Sequence, residues 1–225
     1  MIIFEKVSKK FPIGTTALED VSFQIQPKEF VFLVGQSGAG KTTILKLLLR
    51  ELLPTKGDIT VDEIRISTKK FKEISTLRRK IGIIFQDFKV LFDKNIFENI
   101  ALSLQILGIN QSLISDAVKE SLHLVGLSKK EDVFPSQLSA GELQRIAIAR
   151  AIVGDRDIIL ADEPTGNLDP QTTWDIMKIF KKLEGKKTII IATHNTDVVN
   201  SFQKRVISLK NGKIIKDLEK GEYDI

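Results

Sequence analysis

No cysteine occurs among the 225 residues. That excludes disulfides, thiolate metal sites and a cysteine nucleophile, and it fits a reducing compartment. No apolar run approaches the ~18 uninterrupted residues of a membrane-spanning helix. Met1 to Lys6 lacks a basic stretch followed by a long apolar core, so it does not read as a signal peptide. Internal repeats and low-complexity tracts are also missing. The excess of one charge sign is small, with 34 Lys and Arg against 29 Asp and Glu, a net of +5. The basic residues are spread along the chain, which describes a solvated surface rather than a nucleic-acid patch and leaves only weak attraction to anionic lipid. What is present is 42% hydrophobic and 28% charged residue. That is enough for one large or two small domains with a substantial core.

The most informative stretch is Gly35-Gln36-Ser37-Gly38-Ala39-Gly40-Lys41-Thr42-Thr43. An apolar run, Phe30 to Val34, precedes it, and a helical pattern, Ile44 to Leu49, follows. Strand, glycine loop and helix form the context that the G-x-x-x-x-G-K-[ST] phosphate loop requires. The glycines permit backbone shapes that a Cβ would obstruct, so several N–H groups can face phosphate oxygens. The helix adds its positive end. Lys41 is a point charge for the β- and γ-phosphates, and the Thr42 hydroxyl suits Mg²⁺. This loop alone shows nucleotide binding and leaves the kind of nucleotide enzyme open.

The remaining chain alternates between two characters. Ile2 to Val7, Val21 to Ile25, Asp58 to Val61 and Ile81 to Phe85 read as strands. Phe11 lies between the first two, either as a core ring or as a flat face for stacking a base. Lys69 to Lys80 is basic, with Ile74 and Leu77 as anchors. From Asp87 the spacing turns helical, through Ile96, Phe97, Ile100, Ala101, Leu104 and Leu107, then Ile114, Ala117, Val118, Leu122 and Val125. Gly108 and Gly126 break these stripes. His123, inside this segment, has no metal-binding or catalytic companion and reads as a surface or packing residue.

Ser139-x-x-Glu142 opens a long helix as a capping box. Gly141 is not needed for that cap, and a helix N-terminus with serine and glycine is equally an anion site. Ile158 to Ala161 is a buried-strand run that ends in two carboxylates, Asp162 and Glu163. Ligands of parallel sheets lie beyond such strand ends. Adjacent carboxylates there suit Mg²⁺ at Asp162 and a water polarised by Glu163. Pro164 to Pro170 reads as a loop. Trp174, Met177, Ile179 and Phe180 form a core helix face. Thr188 to Thr193 is a further buried strand, ending at His194 within reach of a γ-phosphate. Asn211-Gly212 joins a final hairpin.

Taken in order, these stations resemble the ATPase subunit of ABC transporters from about Ile2 to Asp217. Gly35 to Thr42 is similar to Walker A, Gln86 to the Q-loop glutamine, and Leu138 to Glu142 to the LSGGQ signature. Ile158 to Glu163 is similar to Walker B, Asn167 to Asp169 to the D-loop, and His194 to the switch histidine. Gln86 to Leu91 further resembles the cell-division branch of the family. Ala161 to Asp169 is shared with lipoprotein-releasing ATPases and MacB-type exporters. Ala140 and Glu142 depart from the signature's glycine and glutamine, and Val90 from the branch's leucine.

The resemblance implies an α/β P-loop ABC ATPase fold, with a mostly parallel core sheet, an N-terminal antiparallel β-subdomain and a helical subdomain. It implies one ABC ATPase domain over 1–225, with 1–86 and 155–225 as the nucleotide-binding core and about 87–154 as the helical subdomain. It implies ATP and Mg²⁺ as cofactors and Glu163, His194, Gln86 and Lys41 as catalytic residues. Phe11 would stack on adenine, and Gly35, Gln36, Ser37, Gly38, Ala39, Gly40, Lys41, Thr42, Thr43 and Gln86 would contact the nucleotide. Thr42, Gln86 and Asp162 would hold the metal. Ser139, Gly141 and Glu142 would meet ATP bound by the other copy in an ATP-bound homodimer. An integral membrane partner, docked around Gln86 to Leu107, would hold the chain peripherally at the cytoplasmic face of the cell membrane.

Overall fold

The computed structural model describes residues 1–12 and 14–221. In chain order the elements are β1 (Ile2–Lys10), β2 (Thr16–Ile25), β3 (Phe30–Val34), α1 (Lys41–Leu48), β4 (Lys56–Val61), β5 (Ile64–Arg65), α2 (Ile74–Arg79) and β6 (Ile81–Ile84). Then come α3 (Ile96–Leu107), α4 (Gln111–Leu124), α5 (Ala140–Ile152), β7 (Ile158–Asp162), α6 (Pro170–Leu183), β8 (Thr188–Thr193), α7 (Thr196–Phe202), β9 (Arg205–Lys210) and β10 (Lys213–Leu218). The chain forms two compact units, one of Met1–Arg78 with Glu184–Ile225, the other of Arg79–Leu183.

The first unit holds two sheet regions. One is antiparallel in the order β2-β1-β4-β5. Phe4 pairs with Phe23 and with Ile59 on its two sides, and the two phenyl rings stack at 4.5 Å. β2 begins five residues before the expected Val21. Lys6 and Asp20 both adopt positive φ at irregular points of the β1–β2 ladder, so the alternation that marks a strand is interrupted there. In the other region β3 lies parallel to both β8 and β9, and β9 turns back antiparallel into β10 through Asn211-Gly212. Every residue of β3 and β8 is buried. That explains their unbroken apolar runs, because a strand covered on both faces has no polar side to alternate.

In the second unit β6 and β7 run parallel, with Ile83 opposite Leu160. α5 packs on β6 and against α3, α4 and α6. Residues 87–95, read as the start of helical character, form turns, and α3 starts only at Ile96. Asn95 and Glu98 make a reciprocal cap there. Asn99, buried one turn on, ties the preceding turn through both Leu91 backbone groups and the Lys94 carbonyl. Ile96, Ile100, Ala101, Leu104, Ile114, Val118 and Leu122 are buried as their spacing predicts. Phe97, Leu107 and Ala117 are only half-buried. Trp174 is half-buried too, whereas Ile176, Met177, Ile179 and Phe180 make the inward face of α6. The described residues contain no helix long and apolar enough to cross a membrane.

Candidate functional site: a phosphate loop and a carboxylate turn

In the first unit, β3 delivers the phosphate loop at its carboxyl end. Gly35 has φ 149°, and a Cβ there would lie 2.3 Å from the Leu209 carbonyl oxygen of β9. Gly40 caps α1 at φ 111° with no side-chain cap, and its Cβ would lie 2.7 Å from the Ala17 oxygen. The loop is therefore pressed against β9 and β2 where only glycine fits, and the first-turn N–H groups of α1 lack a capping side chain. Gln36, Ser37 and Gly38 are exposed, while Ala39, Gly40 and Lys41 are buried. Lys41 donates from Nζ to the Gly35 oxygen at 2.6 Å and the Gln36 oxygen at 3.4 Å. Its ammonium thus sits over the loop. Thr42 is exposed and Thr43 half-buried.

Behind the loop, Gly212 donates its N–H to the Ala39 oxygen (3.1 Å) and accepts at its own oxygen from Glu19 N–H (2.9 Å). The β9–β10 turn therefore buttresses the phosphate loop, a role the hairpin pattern did not reveal. Val34 is opposite Thr193 in the parallel β3–β8 pair, so Gly35 and His194 leave the same ends of adjacent strands. His194 is exposed there. Phe11 is not a core residue. Its half-exposed ring carries the Lys9 ammonium 5.3 Å from its centroid, and one face of a flat ring on a turn is what stacking requires.

In the second unit, Asp162 is the last residue of β7 and Glu163 begins the turn after it. Both are half-buried. Glu163 has φ 47°, an αL backbone uncommon for a side-chain-bearing residue. The turn closes with Gly166 N–H to the Glu163 oxygen at 3.1 Å. Asp162 is thus a strand end. The cap of α6 is Asp169, whose carboxylate accepts from Thr172 N–H and from the Thr172 hydroxyl. Those bonds hold the Asp169 carboxyl below its usual range.

Ile84 is opposite Ala161 in the parallel β6–β7 pair, so Gln86 emerges beside Glu163. A Cβ on Gly166 would lie 3.3 Å from Gln86 Nε2 and 3.5 Å from Glu163 Cβ. Gln86 and the carboxylate turn therefore share one place. Phe88 and Lys89, just beyond, take successive positive φ values. Arg150 of α5 donates to both of their carbonyls, at 2.8 and 2.5 Å. Burial lowers the Arg150 pKa. Its only sequence signal is one arginine inside the apolar run Ile146 to Ile152.

The capping box at the head of α5 forms. Glu142 N–H donates to Ser139 Oγ at 3.3 Å, and Ser139 N–H donates to Glu142 Oε2 at 3.0 Å. Lys130 reaches Glu142 at 3.3 Å. The Ser139 N–H bond, with help from its hydroxyl and from Lys130, lowers the Glu142 pKa. Ser139 is exposed and Gly141 half-buried. His123 is exposed beside Ser128 (Nδ1 to Oγ, 3.4 Å), as its isolation in the sequence predicts.

A buttressed glycine loop with a buried lysine fits the polyphosphate of a nucleotide. The described residues contain no cluster of three or more His, Cys, Asp or Glu side chains able to hold a metal by themselves. Asp162 and the Gln86 amide in the second unit, and the Thr42 hydroxyl in the first, are each oxygen donors of the kind Mg²⁺ takes, an ion that keeps waters and binds phosphate. The family model for ABC transporters matches residues 18–166. This chain belongs to the ABC transporter family. It is 48% identical to the cell division ATP-binding protein FtsE of Bacillus subtilis (strain 168), over 99% of this chain and 98% of that protein. FtsE of Escherichia coli (strain K12) is 41% identical, over 95% of this chain and 97% of that protein. Among solved structures, the dimeric bacterial ABC transporter cassette MJ0796 superposes with TM-score 0.89 at 34% identity, covering 99% of this chain and 100% of that one. The same cassette in a post-hydrolysis state bound to ADP and Pi gives TM-score 0.88 at 33% identity, again over 99% and 100%. The ABC ATPase fold implied by the sequence is therefore the observed one.

Proposed function

We propose that this chain is the FtsE-like ATPase subunit of a cell-division complex. It would couple ATP hydrolysis, through an integral membrane partner of FtsX type, to regulation of cell-wall hydrolases. Membership of the ABC family makes the chain an ATP-binding and ATP-hydrolysing protein. The single observation that carries the cell-division reading is near-full-length identity of 48% to an FtsE.

ATP brings the phosphoanhydride that is broken, and Mg²⁺ supplies charge neutralisation on its phosphates. In this reading Lys41 leaves the Gly35 and Gln36 carbonyls to meet phosphate oxygens, and the N–H groups of the loop and of α1 bind the rest. Thr42, Gln86 and Asp162 hold the metal. Glu163 orients the attacking water or takes its proton, and its αL backbone is the kind of held strain found at catalytic turns. His194 steadies the γ-phosphate side, and Phe11 stacks on the base. Ser139 and Gly141, with Glu142 behind them, contact ATP held by a second copy. Glu142 differs from the signature glutamine, but Lys130 at 3.3 Å offsets its charge, so phosphate is not faced by a bare carboxylate. Residues 1–225 act as one ATPase domain. ATP favours the closed homodimer, and hydrolysis with phosphate release favours the open state, a shift driven by differential binding.

The membrane partner would dock around Gln86 to Leu107. Leu91, Phe92, Leu102 and Ile106 of that segment are exposed apolar side chains, as a partner-binding face requires. The chain would then lie at the cytoplasmic face of the cell membrane through its partner. The test is crosslinking in native membranes followed by mass spectrometry. Recovery of an FtsX-like protein with few spans and an extracytoplasmic domain supports the proposal. Recovery of a lipoprotein-releasing or MacB-type permease contradicts the cell-division role and leaves the ATPase chemistry intact.

A further inference from the structure

Gly141 is not required by the capping box that surrounds it, because Ser139 and Glu142 complete that cap alone. The structure supplies a separate reason for the glycine. A Cβ built there would lie 2.5 Å from Thr172 Cγ2, with Thr172 Oγ1 and Cβ at 3.6 and 3.7 Å. The Thr172 methyl fills the space that a side chain at 141 would take. That methyl is aimed by the other branch of the same side chain, since Thr172 Oγ1 donates to Asp169 Oδ2 at 2.5 Å and Thr172 N–H donates to Asp169 Oδ1 at 2.9 Å. A β-branched side chain has few χ1 choices, so fixing the hydroxyl fixes the methyl. One turn further along both helices, Arg145 Nη2 meets Asp175 Oδ2 at 3.3 Å. The heads of α5 and α6 are therefore joined twice, first by a methyl under a glycine and then by an ion pair.

We infer that Thr172 is a positioning residue that links the Asn167-Leu168-Asp169 loop to the Ser139–Gly141 turn. A displacement of Asp169 rotates or releases Thr172, and the methyl transmits that change to the backbone of Gly141. The link rests on the proposal that Ser139 and Gly141 contact ATP bound by a second copy. It adds the means by which the state of the loop after the carboxylate turn reaches that contact within one chain.

The experiment uses the full chain with Glu163→Gln as background, so that ATP is retained, and reads the monomer–dimer equilibrium with Mg-ATP by analytical ultracentrifugation. Gly141→Ala introduces the 2.5 Å clash, and Thr172→Ser removes the methyl while keeping the hydroxyl. Each is expected to weaken ATP-driven dimerisation about tenfold, while the double variant, whose alanine occupies the vacated space, recovers most of the loss, a coupling of the size seen between touching residues. Thr172→Val keeps the packing shape and the backbone N–H bond and removes only the hydroxyl bond to Asp169. It is expected to weaken dimerisation as well, whereas a purely space-filling role would leave it unchanged. Binding of a fluorescent ATP analogue to monomeric Thr172→Ser and Thr172→Val should match the parent, which separates mispositioning from misfolding. Additive effects of the two single changes, or parental dimerisation in Thr172→Val, overturn the link alone. Absence of an ATP-dependent dimer in the Glu163→Gln parent overturns the dimer-contact reading and the link with it.

Discussion

Arg150→Met tests the grip of α5 on the turn after Gln86. The guanidinium bonds the carbonyls of Phe88 and Lys89 at 2.8 and 2.5 Å, and both residues hold positive φ. A hydrogen bond from a charged donor contributes about 1.5–3 kcal/mol. Each non-glycine αL residue stores about 1–3 kcal/mol that its surroundings must offset. Methionine keeps much of the apolar stem and removes both bonds. Desolvation already disfavours the charge of the native arginine, so its removal returns part of the loss. The net expectation is about 2–3 kcal/mol of destabilisation. It should appear as a lower urea midpoint and faster amide hydrogen exchange at Phe88 and Lys89. ATP turnover should fall as well, because Gln86 loses its anchored neighbour. A variant with unchanged midpoint and unchanged exchange would refute the account of how this turn is held.

Other expectations follow from the same geometry. Lys41→Ala should weaken ATP binding about 10- to 100-fold, the equivalent of one charge-assisted bond or more, and unchanged affinity by calorimetry would count against the phosphate-loop assignment. Arg205 joins β9 to Asp217 at 2.8 Å, to Glu29 at 2.9 Å and to the Gln24 carbonyl at 2.6 Å, and the Asp217 and Glu29 carboxylates raise its pKa. Arg205→Met should cost about 1–2 kcal/mol after solvent screening, read by chemical denaturation; no loss would show that the network is only decorative. Glu142 has a lowered folded pKa. Its capping contribution is therefore complete above the ordinary glutamate value of about 4.3 and is lost as pH falls through the lower folded value. The stability difference between the protein and Glu142→Gln should shrink across that window in thermal melts, and a difference that grows on acidification would contradict the sign.

Much of this was legible in the chain because local and global requirements coincide there. β3, β7 and β8 are buried on both faces, so each reads as an unbroken apolar run with the functional residue at its end. The glycine loop is legible because only glycine survives against Leu209 and Ala17. Legibility fails where a contact is distant in sequence. Nothing around Thr172 signals that its methyl replaces a side chain at Gly141, and nothing around Gly212 signals that its turn supports Ala39. Phe11 reads as either core ring or stacking face, because hydrophobicity alone cannot separate a ring on a turn from one in a strand. The early part of β2 is hidden for a different reason, since bulges at Lys6 and Asp20 break the period on which strand recognition depends.

The role of Glu163 is tested by steady-state ATP hydrolysis with Mg²⁺ by the purified chain and by Glu163→Gln, paired with ATP binding to each. The variant is expected to lose nearly all turnover, to bind ATP as tightly as the parent and to accumulate as a dimer. Near-normal turnover in Glu163→Gln would contradict the assignment of the carboxylate after β7 as the group that activates water.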